Sequence, residues 1–401
     1  NKNAGVSGAV TQDWSWYNAS AGDNQWGNHD GLNSGAYIFR PNGTEPHPIA
    51  SGSVSMEIRQ HSGVVEVVQR WGSMVTQVTR LYEGYEYAEV EATVGPIPID
   101  DGMGKEVISR WSTDLKSNGE WATDSNLREF QARKRNYRPT WPLNVTEPVS
   151  DNYFPVNGAI TLKDSTRMFG VLTDRSQGGS SMQDGAVELM AHRRLLYDDH
   201  RGVGEPLNET DAVVGSGWPL TRIGNPLVIR TVYRVYLGAP STGLGVLRPL
   251  MDRTFAQPVL AFAPHNSGFN DGQFLKKGIN LPENVLVAHA DPRADGTTLF
   301  RLAHQFANGE DSKLSQPVSV DITDVFDRPV VSVTEMTLTG NRKASEAKRL
   351  VWKTTDGKPQ PDHTISDPIE WKAANGKHAM PGDVVVQLTP MKIRTFSVVF
   401  G

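Results

Sequence analysis

Six charged or ionisable side chains fall within nine residues and are followed by two glycines: Arg193, Arg194, Asp198, Asp199, His200 and Arg201, then Gly202 and Gly204. Residues 187–191 alternate with a period of two, which predicts a strand with one buried face. A strand that runs into such a turn can hold polar groups rigidly at the rim of a sheet. Ordinary surface ion pairs are the alternative, and spacing alone does not separate the two. We expect Asp198 and Asp199 to pair with Arg193, Arg194 and Arg201 rather than to donate protons.

Common catalytic signatures are absent from the sequence, including a GxSxG elbow, a phosphate-binding glycine loop, an HExxH helix and a dinucleotide fingerprint. The 10 His residues are scattered, which predicts no metal site built by this chain alone. A glycosidase needs two carboxyl groups at a defined separation, but adjacent carboxylates on a strand point to opposite faces. Asp100 and Asp101, followed by Gly102, predict a turn.

Aromatic residues near the start of the chain are a second candidate for a binding site, because a sugar ring stacks well on an exposed aromatic face. They are Trp14, Trp16, Tyr17 and Trp26. The alternative is that they pack over a sandwich as a lid. The residues alone make carbohydrate a candidate ligand, and they identify no reaction.

Composition narrows the class of protein. A net charge of -5 and a pI near 6.1 supply no cationic field, so we expect neither nucleic acid nor a membrane surface as partner. No apolar run reaches the ~20 residues that span a bilayer. There is no Cys, which excludes disulfides and thiolate metal sites. Four N-glycosylation sequons, at Asn18, Asn42, Asn144 and Asn208, favour the secretory route. Because the sequence starts Asn1-Lys2-Asn3, we expect a mature product or one piece of a longer precursor.

The pattern along the chain predicts an all-β protein with two antiparallel β-sandwiches. Residues 1–50 are predicted to be irregular apart from a short strand at 34–40. Residues 51–240 form the large sandwich, with an irregular stretch at 114–165 and the longest strand at 225–238. Residues 241–282 are predicted to be a linker or wrapping arm, and residues 283–401 a smaller sandwich with seven short strands. No helix longer than one or two turns is expected, the best candidate being 344–350.

Several runs of sequence, taken together, resemble the C-terminal half of the class II α-mannosidases of glycoside hydrolase family 38, most closely the lysosomal and plant-vacuolar acid enzymes. They are SGAYIFRPNG at 34–43, VGPIP at 94–98, TDSN at 123–126, LTDRSQGGSS at 172–181, ELMAHRRLLYDDHRGVGE at 188–205, LAHQF at 302–306, GEDS at 309–312 and LTPMKIRTF at 388–396. The run at 188–205 is the most specific.

The resemblance implies a mutarotase-like super-sandwich followed by an immunoglobulin-like sandwich. It also implies a retaining exo-α-mannosidase that uses a Zn²⁺ ion and two aspartates to remove terminal mannose from N-glycans. Those groups belong to the family's N-terminal α/β domain, so we expect no catalytic residue and no zinc ligand in this chain. The Zn²⁺ would be bound by a partner, the N-terminal catalytic chain of the same precursor. Heavy–light pairs in a higher oligomer, located in a vacuole or lysosome, are the implied assembly.

Two substrate contacts follow from the resemblance. Tyr37 matches a tyrosine whose hydroxyl reaches the mannose, although a sandwich-edge tyrosine is the alternative. Arg201 matches an arginine that lines the pocket, with its backbone and that of Gly202 near the substrate, unless Arg201 only binds Asp198 or Asp199. In this interpretation the charged cluster braces the turn at 201–202.

The sequence departs from the family at two points. Leu127 stands where the lysosomal members usually have Gly, which weakens any role for that loop. The lack of Cys implies non-covalent association of the chains. A free-standing carbohydrate-binding β-sandwich is the competing hypothesis.

Overall fold

A computed structural model describes residues 1, 3–22, 32–214, 221–262, 275–279, 281–348, 355–357, 367–374 and 377–401. The chain divides into two compact units, residues 1–257 and 258–401. Both are built from antiparallel strands, so the predicted all-β class is confirmed.

The first unit contains, among its described residues, 17 strands and one α-helix. In chain order these are β1 (Val10–Asn18), β2 (His47–Pro48), β3 (Ser55–His61), β4 (Val64–Trp71), β5 (Val75–Tyr82), β6 (Tyr87–Val94), β7 (Lys105–Thr113), β8 (Glu120–Asp124), β9 (Phe130–Lys134), β10 (Phe154–Val156), β11 (Ala159–Lys163), β12 (Met168–Thr173), β13 (Gln177–Ser180), β14 (Ala186–Arg194), β15 (Thr210–Val214), β16 (Thr221–Pro226), β17 (Ile229–Gly238) and α1 (Gly243–Phe255).

Two sheets form the sandwich of this unit. One has six strands in the order β10-β13-β14-β7-β1-β2, and the other has nine in the order β3-β4-β5-β6-β17-β12-β11-β8-β9. Alternating apolar residues send one face of each sheet inward, as on β6, where Val90, Ala92 and Val94 are buried. Between the sheets, Trp111 meets Tyr233 edge to face with ring centroids 4.9 Å apart. Such a contact contributes about 0.5–1.5 kcal/mol beyond the area that it buries.

Strand β1 corrects the prediction that the first residues are irregular. It pairs with β7 over its whole length, from Val10 opposite Thr113 to Asn18 opposite Lys105. Buried Trp14 and Trp16 alternate with Ser15, as expected of a strand, but this alternation is short and the Gly- and Asn-rich residues on both sides obscure it in the sequence. Conversely, residues 34–40, predicted as a strand, form an irregular loop.

Helix α1 lies in the segment predicted to be a linker, and it belongs to the first unit. Leu247, Leu250 and Met251 on one helix face pack with buried residues of β11, β12 and β17. Two glycines and Pro249 lower the helix propensity of this sequence, so the packing stabilises a helix that the local sequence does not favour. Residues 344–346 form a single 3₁₀ turn. Among the described residues, no helix is long and apolar enough to cross a bilayer.

Two stretches of the large sandwich also differ from prediction. Residues 114–165, expected to be irregular, contain β8 to β11, because buried strands such as β11 are short apolar runs without alternation. The strand predicted at 225–238 starts only at Ile229, since β16 ends at Pro226.

The second unit contains, in its described residues, seven strands: β18 (Val285–Pro292), β19 (Thr297–His304), β20 (Val318–Asp321), β21 (Val330–Met336), β22 (Glu370–Lys372), β23 (Val385–Leu388) and β24 (Ile393–Phe400). A five-stranded sheet, β18-β19-β24-β21-β22, and the pair β20-β23 enclose a core that includes Phe300, Phe326 and Phe396. The smaller sandwich is therefore confirmed. Strand β22 was not predicted, and most of the strand predicted at 348–352 lies outside the described residues.

Candidate functional site

The charged cluster at 193–201 lies where β14 ends. After Arg194 the chain leaves the sheet and turns through His200 and Gly202, whose φ angles are 56° and 117°. No described atom lies within 4 Å of the point where a Cβ of residue 202 would be. The backbone at Gly202 is therefore open to the approach of a ligand.

Asp199 connects this turn to the loop that contains Tyr37. Its carboxylate is fully buried, and one oxygen accepts the backbone N–H groups of Tyr37 (2.6 Å) and Ile38 (3.1 Å). The other oxygen accepts the backbone N–H of Arg201 (3.0 Å). Hydrogen bonds to an ionised acceptor are about twice as strong as neutral ones. One side chain thus fixes both predicted substrate-contacting segments, and it brings the segment that contains Tyr37 next to the one that contains Arg201 and Gly202.

The two loops also touch directly. Gly35 lies against Asp199 so closely that a Cβ at position 35 would be 2.5 Å from the Asp199 Cβ. The side-chain amide of Asn33 donates to the backbone oxygen of Asp198 (2.9 Å), and the Asp198 carboxylate faces the His200 ring (3.3 Å). The loop at 33–38 can approach in this way only because residue 35 has no side chain.

Tyr37 combines a fixed backbone with an accessible side chain, which is 69% exposed. It is therefore not packed into the edge of the sandwich, which was the alternative interpretation. A solvent-facing phenol on a backbone held in this way is suited to hydrogen bonding with a ligand.

Arg193 and Arg194 do not pair with Asp198 or Asp199, so that prediction was wrong. Arg193 binds the buried carboxylate of Glu106 and also donates to the Ile38 carbonyl oxygen (3.0 Å), while Arg194 donates to the Ile97 carbonyl oxygen (2.8 Å). Strand register explains the pairing, because β14 and β7 place residue 193 opposite residue 106. Local spacing in the sequence carries no signal for a partner so far along the chain.

Glu106, on β7, anchors the loop that contains Tyr37. Its carboxylate accepts a hydrogen bond from the Ser34 hydroxyl (2.6 Å), and the same hydroxyl oxygen accepts the backbone N–H of Arg40 (3.1 Å). Burial raises the pKa of Glu106, although Arg193 and Ser34 act in the opposite direction. The loop is therefore anchored at residue 34 by Glu106, at residue 40 by Ser34 and at residues 37 and 38 by Asp199.

A third buried carboxylate, that of Glu188 on β14, was missed. It accepts hydrogen bonds from the hydroxyls of Tyr17 (2.9 Å) and Tyr153 (2.6 Å) and from the guanidinium of Arg110 (2.6 and 2.8 Å). Burial and the neighbouring Glu188 raise the pKa of both tyrosines. Strand β14 is thus buried on both faces here, whereas one buried face was predicted.

The aromatic residues of β1 do not form a sugar-stacking surface. Trp14, Trp16 and Tyr17 are 1%, 9% and 1% exposed, so they belong to the core and neither stack on a ligand nor form a lid. Trp26 lies outside the described residues.

The four sequons differ in accessibility. Asn42 and Asn144 are exposed, and Asn18 and Asn208 are half-buried. Asn18 ends β1, and its carbonyl oxygen accepts the backbone N–H of Asn42 (2.7 Å). Exposure favours Asn42 and Asn144 as glycan acceptors.

Leu127 adopts a φ of 63°, the left-handed conformation that glycine enters without strain. The structure therefore explains why Gly suits this position and shows that Leu can occupy it. The side chain of Leu127 is half-buried, and its δ-carbon would lie 2.2 Å from a Cβ at position 158, where Gly158 leaves the room.

Within the described ranges, no group of three or more His, Asp or Glu side chains could hold a metal ion. The described residues therefore do not fit a Zn²⁺ ion, which the resemblance assigns to the N-terminal catalytic chain. Asp100 and Asp101 lie in a turn, as predicted, and Asp101 pairs with Lys105 (2.7 Å).

Comparison with known proteins shows the family to which this chain belongs. Residues 1–201 match the model of the glycosyl hydrolases family 38 C-terminal domain. The chain therefore belongs to glycosyl hydrolase family 38 and corresponds to the C-terminal part of its members, which confirms the resemblance seen in the sequence.

Two relatives match over almost the whole length of this chain. An alpha-mannosidase of Canavalia ensiformis is 38% identical over 100% of this chain, and the lysosomal alpha-mannosidase of Homo sapiens is 41% identical over 96%. The chain spans only 40% and 36% of their lengths. The crystal structure of an alpha-mannosidase from Enterococcus faecalis has the same fold, with a TM-score of 0.55 at 11% identity over 99% of this chain and 39% of that one.

Proposed function

We propose that this chain is the non-nucleophile subunit of a retaining, zinc-dependent exo-α-mannosidase that removes terminal α-D-mannose from N-glycan oligosaccharides. In this proposal the chain completes an active site whose nucleophile and acid lie in an N-terminal catalytic chain of the same precursor. The observation that carries the proposal is the pair of loops held by Asp199, which present Tyr37, Arg201 and Gly202 on one open surface. Relatives named alpha-mannosidases support the substrate class.

Each of the three residues has a proposed role. The Tyr37 hydroxyl hydrogen-bonds to a hydroxyl of the terminal mannose, and its fixed backbone limits the entropy lost on binding. Arg201 lines the pocket, and Gly202 lets the sugar approach the backbone because no side chain intervenes. A Zn²⁺ ion bound by the partner chain would act as a Lewis acid on substrate oxygens.

The surroundings of the protein are also proposed. The names of the relatives include lysosomal enzymes, and the exposed sequons at Asn42 and Asn144 fit passage through the secretory pathway to a lysosome or vacuole. Without Cys in this chain, its association with the catalytic chain is non-covalent, and heavy–light pairs assemble into a higher oligomer.

Native mass spectrometry of the purified protein tests the proposal. We expect a tightly held second chain in equal amount and hydrolysis of an aryl α-mannoside by the complex, but no hydrolysis by this chain alone. A single-chain species that binds carbohydrate without hydrolysing it would instead support the alternative, a free-standing carbohydrate-binding β-sandwich.

Tyr37→Phe in the assembled enzyme tests the site. Removal of one hydrogen bond to the reacting sugar is expected to lower kcat several-fold or more. Tyr137→Phe is the matched control, because Tyr137 is also exposed (52%) but follows β9 at one edge of the nine-stranded sheet. An unchanged kcat in Tyr37→Phe would remove Tyr37 from the site.

A further inference from the structure

A cleft of about 640 Å³ opens between the two sheets of the first unit, at the end where β1 begins. Its inner wall is formed by Val90, Trp111 and Val235, and its rim by residues 84–88. The Tyr37 loop adjoins the other end of β1, since Glu106, which binds Ser34, is paired with Tyr17. Nine residues of strand, about 25 Å, separate the two ends. The cleft is therefore distinct from the site described above.

Tyrosines form the rim of this cleft. Tyr85 and Tyr87 stack with ring centroids 5.2 Å apart and an interplanar angle of 23°, and Tyr82 lies 5.5 Å from Tyr85. Despite these contacts Tyr85 remains 59% exposed. The stack holds the Tyr85 ring in place while much of its surface is available to a flat, partly apolar ligand such as a sugar ring.

Amide side chains line the wall behind the tyrosines, and a buried residue orients them. The amide nitrogen of Gln77 donates to the side-chain oxygens of Gln12 (2.7 Å), Gln69 (3.3 Å) and Thr79 (3.1 Å), and the Trp14 ring N–H donates to the oxygen of Gln77 (2.8 Å). With its oxygen turned towards Gln77, Gln69 directs its amino group elsewhere. The amino group of Gln12 donates one of its two N–H groups to the Ser109 hydroxyl (2.9 Å), and the second, together with the amino group of Gln69, can donate to sugar hydroxyls.

Charge distinguishes between classes of ligand. Among the described residues that line the cleft, Glu86 has the only ionisable carboxylate side chain, and there is no Lys, Arg or His. Such a lining offers no cationic side chain for phosphates, nucleotides or acidic peptides, whereas the Glu86 carboxylate, which the side-chain amide of Asn1 contacts at 3.5 Å, can accept hydrogen bonds from vicinal hydroxyls. The volume lies within the usual range for a small-molecule site.

We propose that this cleft is a second carbohydrate-binding site, which takes a short, neutral oligosaccharide between the Tyr85 ring and the amides of Gln12 and Gln69. It gives the molecule a sugar contact far from the Tyr37 loop. The site neither needs nor supplies a chemical step.

Hydrogen exchange of the protein in its native assembly tests this inference, with three neutral disaccharides as probes: thio-linked mannobiose, which resists hydrolysis, chitobiose and cellobiose. At least one of them is expected to slow amide exchange at residues 84–90. Tyr85→Ala should weaken that binding about tenfold, because the stacking surface is lost. Tyr137→Ala, the same change at an exposed tyrosine outside the cleft, should leave the affinity within about twofold.

Glu86→Gln separates a neutral ligand from a cationic one. A sugar site keeps its affinity within about threefold, because the amide still accepts hydrogen bonds from hydroxyls. If Glu86→Gln abolishes binding, or if an oligolysine peptide protects residues 84–90 in place of the disaccharides, the proposal is wrong. Absence of protection with all three sugars also overturns it. Protection confined to residues 35–38 and 199–202 would support the proposed function while refuting the second site, so the two outcomes can be told apart.

Discussion

Asp199→Asn is the most direct test of how the substrate-contacting loops are held. The carboxylate accepts three backbone N–H groups with two oxygens, so each oxygen has a separate task. Asparagine offers one oxygen, which can keep the contacts to Tyr37 and Ile38. Its amino group must then face the N–H of Arg201, where two donors repel each other.

The magnitude follows from these contacts. A hydrogen bond to a charged group contributes about 1.5–3 kcal/mol, and removal of the charge from the two surviving bonds weakens each by roughly half. Because Tyr37 is exposed, water replaces part of what is lost. We expect the free energy for opening the two loops to fall by about 2–3 kcal/mol, which corresponds to roughly 30- to 150-fold faster amide exchange.

Exchange of the amides of residues 37, 38 and 201 is the measurement, with kcat of the assembled enzyme as the functional readout. Asp198→Asn is the matched control, since the Asp198 carboxylate contacts His200 and none of the three amides. Equal exchange in the two variants would show that Asp199 does not hold the loops, and the reasoning would fail.

Three further predictions concern the scaffold. Glu188→Ala should lower the free energy of unfolding by about 3–5 kcal/mol, because Arg110 is left without its buried partner. Glu120→Ala, which removes an exposed ion pair with Lys134, should change it by under about 0.5 kcal/mol. Similar denaturant midpoints for the two variants would contradict this prediction. Gly35→Ala should lower the free energy of unfolding by about 1–3 kcal/mol and lower kcat, because the new methyl group overlaps Asp199. Gly52→Ala is the control, since its methyl group enters open space. A fully active Gly35→Ala enzyme would be inconsistent with the loop contact. Burial raises the pKa of Glu106 above 4.5, so the folded protein binds this proton more tightly than the unfolded chain. The free energy of unfolding should therefore fall as pH rises from about 4.5. Denaturation at several pH values should show a smaller dependence of this free energy on pH in Glu106→Gln, and an identical dependence would refute the assignment.

The fold class was predictable because most strands of the large sandwich alternate. Strand β6 shows this well, with Val90, Ala92 and Val94 on the buried face. Strand β11 was missed because its first four residues are all buried and present no alternation. Helix α1 was missed because its glycines and Pro249 disfavour a helix, and only contacts with distant strands compensate.

The candidate site was predictable only in part. Tyr37, Arg201 and Gly202 were located through resemblance, and the structure places them together. The partners of the charged cluster were wrong because a strand pairing, residue 193 opposite residue 106, decides them. Asp199 was expected to bind arginines, but it accepts backbone N–H groups, a choice that side-chain spacing does not reveal.

The pairing of β1 has a consequence for the order of folding. Strand β1 is synthesised before the strands that complete its part of the sheet, because β7 begins only at Lys105 and β14, the other neighbour of β7, ends at Arg194. Until those segments are synthesised, Trp14 and Trp16 have no sheet to cover them, and contacts of such long sequence separation form slowly. Strand β1 therefore remains an unpaired aromatic strand until synthesis has proceeded as far as β14.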